Sequence, residues 1–302
     1  MREFDANGAD KLASPAVGVL DRAGLAAALV ATLAWGLTGT FIHLTTTASA
    51  GLITVFRLLV SAALLSLIGL LRPAVLRRTR APWAPVVAMA AYYVLATEAF
   101  TRAPVVEVTL LVGAAPLITL TFDWIGGRPV TRRRAIGVVI AVVGLAAFIF
   151  PGSQYSVRSL VGDVLALGAA LVSAVYVTRL RAAALAGQAL DAVTIATRAS
   201  LVGGIASILL LIFRQPASMP NVSSHDIGCL VMLGVFSTAV PTVAYSEASR
   251  RLPATVTTSL SLLTPLFAAV FAGIVLSEWP AIYRLPGAAL AFAGICVVVL
   301  SN

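Results

Sequence analysis

Apolar residues in this chain run unbroken for about 18–22 positions, stop at a few charged or turn-forming residues, and resume. At 1.5 Å per residue, one such run covers the roughly 30 Å hydrocarbon core of a bilayer, so each run predicts a spanning helix. Ten are predicted, at residues 23–43, 50–71, 83–101, 104–122, 135–151, 160–179, 192–213, 226–246, 254–276 and 284–300. Pro, Gly or Arg marks most of the connections, as in Arg72-Pro73, Gly126-Gly127-Arg128-Pro129, Pro151-Gly152, Leu252-Pro253 and Trp279-Pro280. No extramembranous domain fits between the runs. The expected organisation is a cytoplasmic segment over residues 1–22, a five-helix unit over 23–151 and a second over 160–300.

Composition agrees with that pattern. Of the 302 residues, 60% are hydrophobic and 11% charged, with a mean hydropathy of +0.99, whereas soluble domains carry about one-quarter charged residues. The net charge of +9 would suit a nucleic-acid partner only if the basic residues shared one solvated face. Here they sit in short loops, so no nucleic-acid partner is expected. Cytoplasmic loops keep Lys and Arg. With the N-terminus inside, fifteen of these residues fall in cytoplasmic segments and four (Arg102, Arg158, Arg214, Arg284) outside, while Arg57 and Arg198 lie within spans. Both termini are therefore expected in the cytoplasm of a bacterium, with the chain in its inner membrane.

Several alternatives fall away. Ala48-Ser49-Ala50 imitates a signal-cleavage site, but the run before it is too long for a signal core, and acidic Glu3, Asp5 and Asp10 precede it. Cys229 and Cys296 lie in apolar runs without metal or disulfide spacing, and His43 and His225 are far apart in sequence, so no metal and no cofactor is expected. No G-x-x-x-x-G-K-[ST], H-E-x-x-H or Ser/His/Asp pattern appears, which argues against an enzyme and against direct nucleotide-driven work.

The chain repeats itself. Residues 97–104, Thr-Glu-Ala-Phe-Thr-Arg-Ala-Pro, lie on residues 246–253, Ser-Glu-Ala-Ser-Arg-Arg-Leu-Pro, at an offset of 149, which also pairs Pro116 with Pro265. One inserted residue later, Gly137 pairs with Gly287 and Gly144 with Gly294; earlier, Arg57 pairs with Arg198 at an offset of 141. A repeat of five spans must re-enter the membrane upside down. Inverted repeats related by a pseudo-twofold axis in the membrane plane are the frame of many secondary transporters, because exchanging the conformations of the halves moves the opening of a central cavity from one face to the other.

Phe56-Arg57, Ala99-Phe100 through Pro116, the Gly-Arg loop before Gly137-Val138-Val139, and Ala248 through Pro265, Leu276-Ser277-Glu278, Gly287 and Gly294 together resemble the EamA-type drug/metabolite transporter superfamily. Where that family carries Gly-Glu after the fourth span, this chain has Gly127-Arg128, while the second copy keeps Ser277-Glu278. The resemblance implies an all-α bundle of ten transmembrane helices as two inverted five-helix repeats. It implies a cavity lined by the first four helices of each half, with the fifth and tenth peripheral or at contacts of a homodimer. It also implies transport, most often export, of amino acids, their derivatives or opine-type metallophores. Import of a metabolite or vitamin on the same fold is the alternative, and a membrane-embedded enzyme or non-transport subunit is the rival class.

Intramembrane ionisable groups are candidates for function because burying them in lipid is costly. Glu107 and Glu98 sit near helix ends, where a carboxylate could bind a substrate amine or couple transport to protons, or merely complement a helix dipole. Glu247, the counterpart of Glu98, has Arg250 and Arg251 within pairing distance on its own helix. Arg57 and Arg198 could fork onto a substrate carboxylate or brace helix ends. Trp35, Thr38, Tyr92, Tyr93, Tyr176 and Tyr245 are the polar and aromatic residues placed to line a cavity or an interfacial belt. Pro116 and Pro265 can kink their helices and serve as gates.

Overall fold

The computed structural model describes residues 21–45, 48–71, 82–103, 105–149, 160–214, 222–277 and 279–301. Ten spans follow in order. The first is Arg22–Leu44, the second Ala50–Leu70 and the third Trp83–Arg102. The fourth is broken into Val105–Val112 and Ala115–Ile125, and the fifth is Arg132–Ile149. The sixth is Leu160–Leu185 and the seventh Ala192–Arg214. The eighth comprises Ser224–Gly234, a π-helical turn Val235–Ala239, and Val240–Arg251. The ninth is broken into Ala254–Ser261 and Thr264–Leu276, and the tenth is Leu285–Leu300. Eight of these are long and apolar enough to cross a membrane. The third and fifth, of 20 and 18 residues, complete the two sets of five.

Local chemistry sets most boundaries. Asp21 caps the first helix by accepting from the N–H groups of Ala23 and Gly24, Ser49 caps the second, and Ser223 the eighth. Pro116 and Pro265 stand in the first turn of a restarted helix, where a missing N–H costs nothing. The sequence expects continuous spans at 104–122 and 254–276. The breaks fall two to three residues before each proline, because its ring clashes with the carbonyl four residues back. The sixth and eighth helices also run past their expected ends, to Leu185 and Arg251, carrying Arg179, Arg181, Arg250 and Arg251 on helix rather than loop.

Packing follows membrane rules. Large apolar side chains such as Leu29, Leu33, Leu67, Val143, Leu167, Ile205 and Phe213 face outward, and the buried positions are rich in Ala, Ser and Thr. Lipid tails are as apolar as Leu, so what distinguishes the interior is how closely backbones approach. The fifth and tenth helices show this most clearly. A Cβ on Gly144 would run into the Ala291 backbone, and one on Gly294 into that of Ala141; Gly287 abuts Phe148 and Gly137 abuts Val298. An offset of 150 turns each of these contacts into another of the four, so the two helices cross antiparallel about the pseudo-twofold axis.

Candidate functional site

The middle of the bundle is polar and aromatic. Arg57 lies seven residues into its helix, about 10 Å along the axis, and is only 8% exposed. Its Nε donates to Thr238 Oγ1 at 2.9 Å and its Nη2 to the Ser237 carbonyl at 3.0 Å. Both acceptors belong to the π-helical turn of the eighth span, which redirects backbone carbonyls and often marks functional sites. The guanidinium also lies over the Tyr93 ring, 5.2 Å from its centroid. A guanidinium carries five N–H donors; these two bonds engage two of them. Among the described residues no carboxylate pairs with Arg57. A buried cation without a counter-charge is costly unless something supplies the anion.

Around it the structure gathers residues from four spans. Trp35 packs against Tyr245 with ring centroids 4.9 Å apart and approaches Tyr92 at 6.4 Å. Tyr92 meets Tyr93 edge-on at 5.6 Å, and Tyr176 stacks on Tyr245 at 5.8 Å. Tyr93 Oη lies 2.6 Å from Thr242 Oγ1, and Tyr176 Oη 2.6 Å from Ser246 Oγ. The eighth span presents these hydroxyls as a stripe: Thr242, Ser246 and Ser249 each donate to the carbonyl four residues back, while Thr238 faces Arg57. Sequence reading missed Ser237, Thr238 and the π-turn. The available signal was hydroxyl residues at four-residue spacing, Thr238, Thr242 and Ser246, with Pro241 between the first two.

The other candidates divide. Arg198, six residues into the seventh helix, lies over the Trp83 ring, 5.8 Å from its centroid, whereas Arg57 lies over Tyr93. Glu98 pairs with Arg102, and Glu247 with Arg250 and Arg251, so the repeat-related carboxylates are both held by arginines of their own helices. Glu98 also lines a small open cleft with Gly51, Thr54, Val94, Thr97, Ser207, Leu210 and Leu211. The side chain of Glu107 lies outside the described residues, as does Glu278. Thr38 is half-buried on the first helix, one turn beyond Trp35.

The bundle is shut at one end. At the end holding Asp21, the sixth and eighth helices pack together beyond Tyr176 and Ser246, and Arg181 Nη1 donates to the carbonyls of Arg250 at 2.7 Å and Arg251 at 2.6 Å. There too Ala115–Ile125 crosses Ala254–Ser261: Thr119 and Thr258 hydroxyls lie 2.9 Å apart, and Thr255 donates to Asp123 at 2.8 Å. The repeat-related pairings at the other end are the first helix with the third and Val105–Val112 with Thr264–Leu276. Among the described residues neither packs to a comparable extent. That end, where Glu98 lies, is splayed.

A model of the family described as "EamA-like transporter family" matches residues 22–150 and 160–300. A solved structure described only as a crystal structure of a protein superposes with a TM-score of 0.79 at 19% identity, covering 92% of this chain and 97% of the other, a likeness of fold. No curated protein matches the sequence.

Proposed function

The chain belongs to the EamA-like transporter family, and from that premise we propose that it is a secondary carrier that exports a small polar metabolite bearing a carboxylate, such as an amino acid or amino-acid derivative, opine-type metallophores included. The observation that carries this reading is Arg57, a buried cation with donors to spare and no carboxylate partner among the described residues. An incoming carboxylate would accept its planar fork and supply the missing charge. Trp35 and Tyr92, both half-buried and the latter beside the Tyr93 ring under Arg57, then offer ring faces to the rest of the substrate.

We place the Asp21 end, which carries most of the Lys and Arg, on the cytoplasmic side, and take the membrane to be a bacterial inner membrane with both termini in the cytoplasm. On this reading the protein is outward-open, and alternating access exchanges the conformations of the two halves. Glu98 at the open mouth and Glu107 are the carboxylates available for proton coupling. Transport under a pH gradient that is unchanged when both are made Gln would remove that role.

The test is counterflow in proteoliposomes with labelled amino acids and an opine-type metallophore, with and without a pH gradient. Saturable uptake of a carboxylate-bearing compound is expected. Arg57→Gln should weaken it at least about 30-fold, the scale of one lost buried charge pair, with the folded fraction unchanged. Equal transport by Arg57→Gln, or selection of amines lacking a carboxylate, would overturn the assignment.

A further inference from the structure

The first helix lies on the sixth without a gap at an offset of 138, pairing Gly24 with Gly162, Ala28 with Ala166, Ala31 with Ala169 and Thr40 with Thr178. Packing supports this register. A Cβ on Gly24 would meet Leu252 Cγ at 2.9 Å, and one on Gly162 would meet Ala103 Cβ at 2.5 Å. Leu252 and Ala103 are themselves counterparts at the 149-residue offset that relates the third helix to the eighth. Each contact at the closed end therefore has a defined counterpart at the open end.

The counterparts differ in chemistry. Tyr176 with Ser246 maps onto Thr38 with Thr97. Two short β-branched side chains let helices approach closely, so the first and third helices can close where the sixth and eighth are bridged by a tyrosine. Thr119 with Thr258 maps onto Ala268 with Thr109, and Asp123 with Thr255 onto Ala272 with Val106. The Thr119···Thr258 and Thr255→Asp123 bonds, which join the fourth helix to the ninth at the closed end, thus have no side-chain equivalents in the residues that replace them by repeat.

We infer that in the opposite conformation the open end is shut by Thr38 meeting Thr97, and that this closure forms without equivalents of the Thr119···Thr258 and Thr255→Asp123 bonds, so that the unloaded protein rests shut at the Asp21 end. The bias rests on the carrier reading above; the residue pairing rests on the repeat. The latch works by difference: each side-chain bond stabilises only the conformation in which it forms.

The test uses the full chain in proteoliposomes, with Cys229 and Cys296 replaced by Ser and the pair Thr38→Cys/Thr97→Cys introduced, oxidised by copper phenanthroline with no transported compound present. A disulfide requires Cβ atoms about 3.5–4.5 Å apart, and the pair Leu37→Cys/Thr97→Cys is the control. The 38/97 pair should cross-link faster than the control. Thr255→Val should raise its rate about five-fold, the population change one ordinary buried hydrogen bond produces. Thr258→Val is a second way to weaken the latch should the first fail to fold. No excess over the control in any background would overturn the pairing, and equal rates with latch intact and broken would overturn the bias. Counterflow read on the same vesicles separates these failures from failure of the carrier reading, since cross-linking needs no cargo.

Discussion

Tyr93 Oη and Thr242 Oγ1 are 2.6 Å apart and are each other's counterparts in the two repeats, 149 positions apart in sequence. A residue can touch its own counterpart only near the axis that exchanges the halves. The pseudo-twofold axis therefore passes through this hydrogen bond, beside the Arg57 guanidinium that lies over the Tyr93 ring. A bond on the axis is available to both conformations of an inverted pair, unlike the contacts that shut one end.

Tyr93→Phe removes that bond while Thr242 keeps its own bond to the Thr238 carbonyl. The loss should be about 1 kcal/mol of stability, seen as a lower melting temperature in detergent. Because it falls equally on both conformations, the 38/97 cross-linking rate should not change.

Arg57→Lys retains charge but replaces a planar fork by a point charge that cannot reach both Thr238 Oγ1 and the Ser237 carbonyl in the same way. Substrate affinity should fall about ten-fold or more even with the charge kept, as measured by counterflow KM. Arg198→Lys, at the Trp83 ring, should leave KM within about two-fold, the size of a lost exposed cation–π contact or less.

Gly144→Ala places a methyl group against the Ala291 backbone, which cannot step aside without parting the fifth and tenth helices. A loss of about 1–3 kcal/mol is expected from such overpacking. Gly39→Ala meets nothing within 4 Å and should leave the melting temperature unchanged or slightly raised.

The Arg251 guanidinium beside Asp21 holds its carboxyl below the usual carboxylate range, with the Gly24 and Ala23 N–H groups acting in the same direction. A carboxyl depressed in the folded state contributes stability above its unfolded value, near pH 4, and loses it as pH falls through the folded value. The contribution of Asp21 to the melting temperature should therefore be fully present and constant between about pH 5 and 8 and be lost only as the pH falls below about 4, and Asp21→Asn should imitate the acid form at neutral pH. A titration of the difference between wild type and Asp21→Asn near pH 6 would contradict this assignment.

Much of the candidate site was legible residue by residue but not as a cluster. Trp35, Tyr92, Tyr93, Tyr176, Tyr245 and Arg57 stand out in the sequence because polar and aromatic groups within apolar runs are few. Their convergence requires helices from both halves to pack, which no local pattern encodes. Arg57 and Arg198 look equivalent by repeat position, yet one is held in the bundle by Ser237 and Thr238 and the other reaches the Trp83 ring. The π-turn that decides this difference exists in one half alone among the described residues.

By itself the sequence determined the spans, since only uninterrupted apolar runs of this length satisfy every backbone group inside lipid, and it determined the inversion, since an odd number of spans repeats upside down. It could not say which helix faces turn inward: lipid and protein interior are equally apolar, so periodicity carries little signal and Ala, Gly, Ser and Thr do the packing. The tertiary structure decided the inward faces, the axis through Tyr93 and Thr242, and the end that is shut. That last choice lies in contacts between distant helices, such as Thr119 with Thr258 and Arg181 with the Arg250 and Arg251 carbonyls. Near-symmetric halves permit two such arrangements, and only the packed chain selects one.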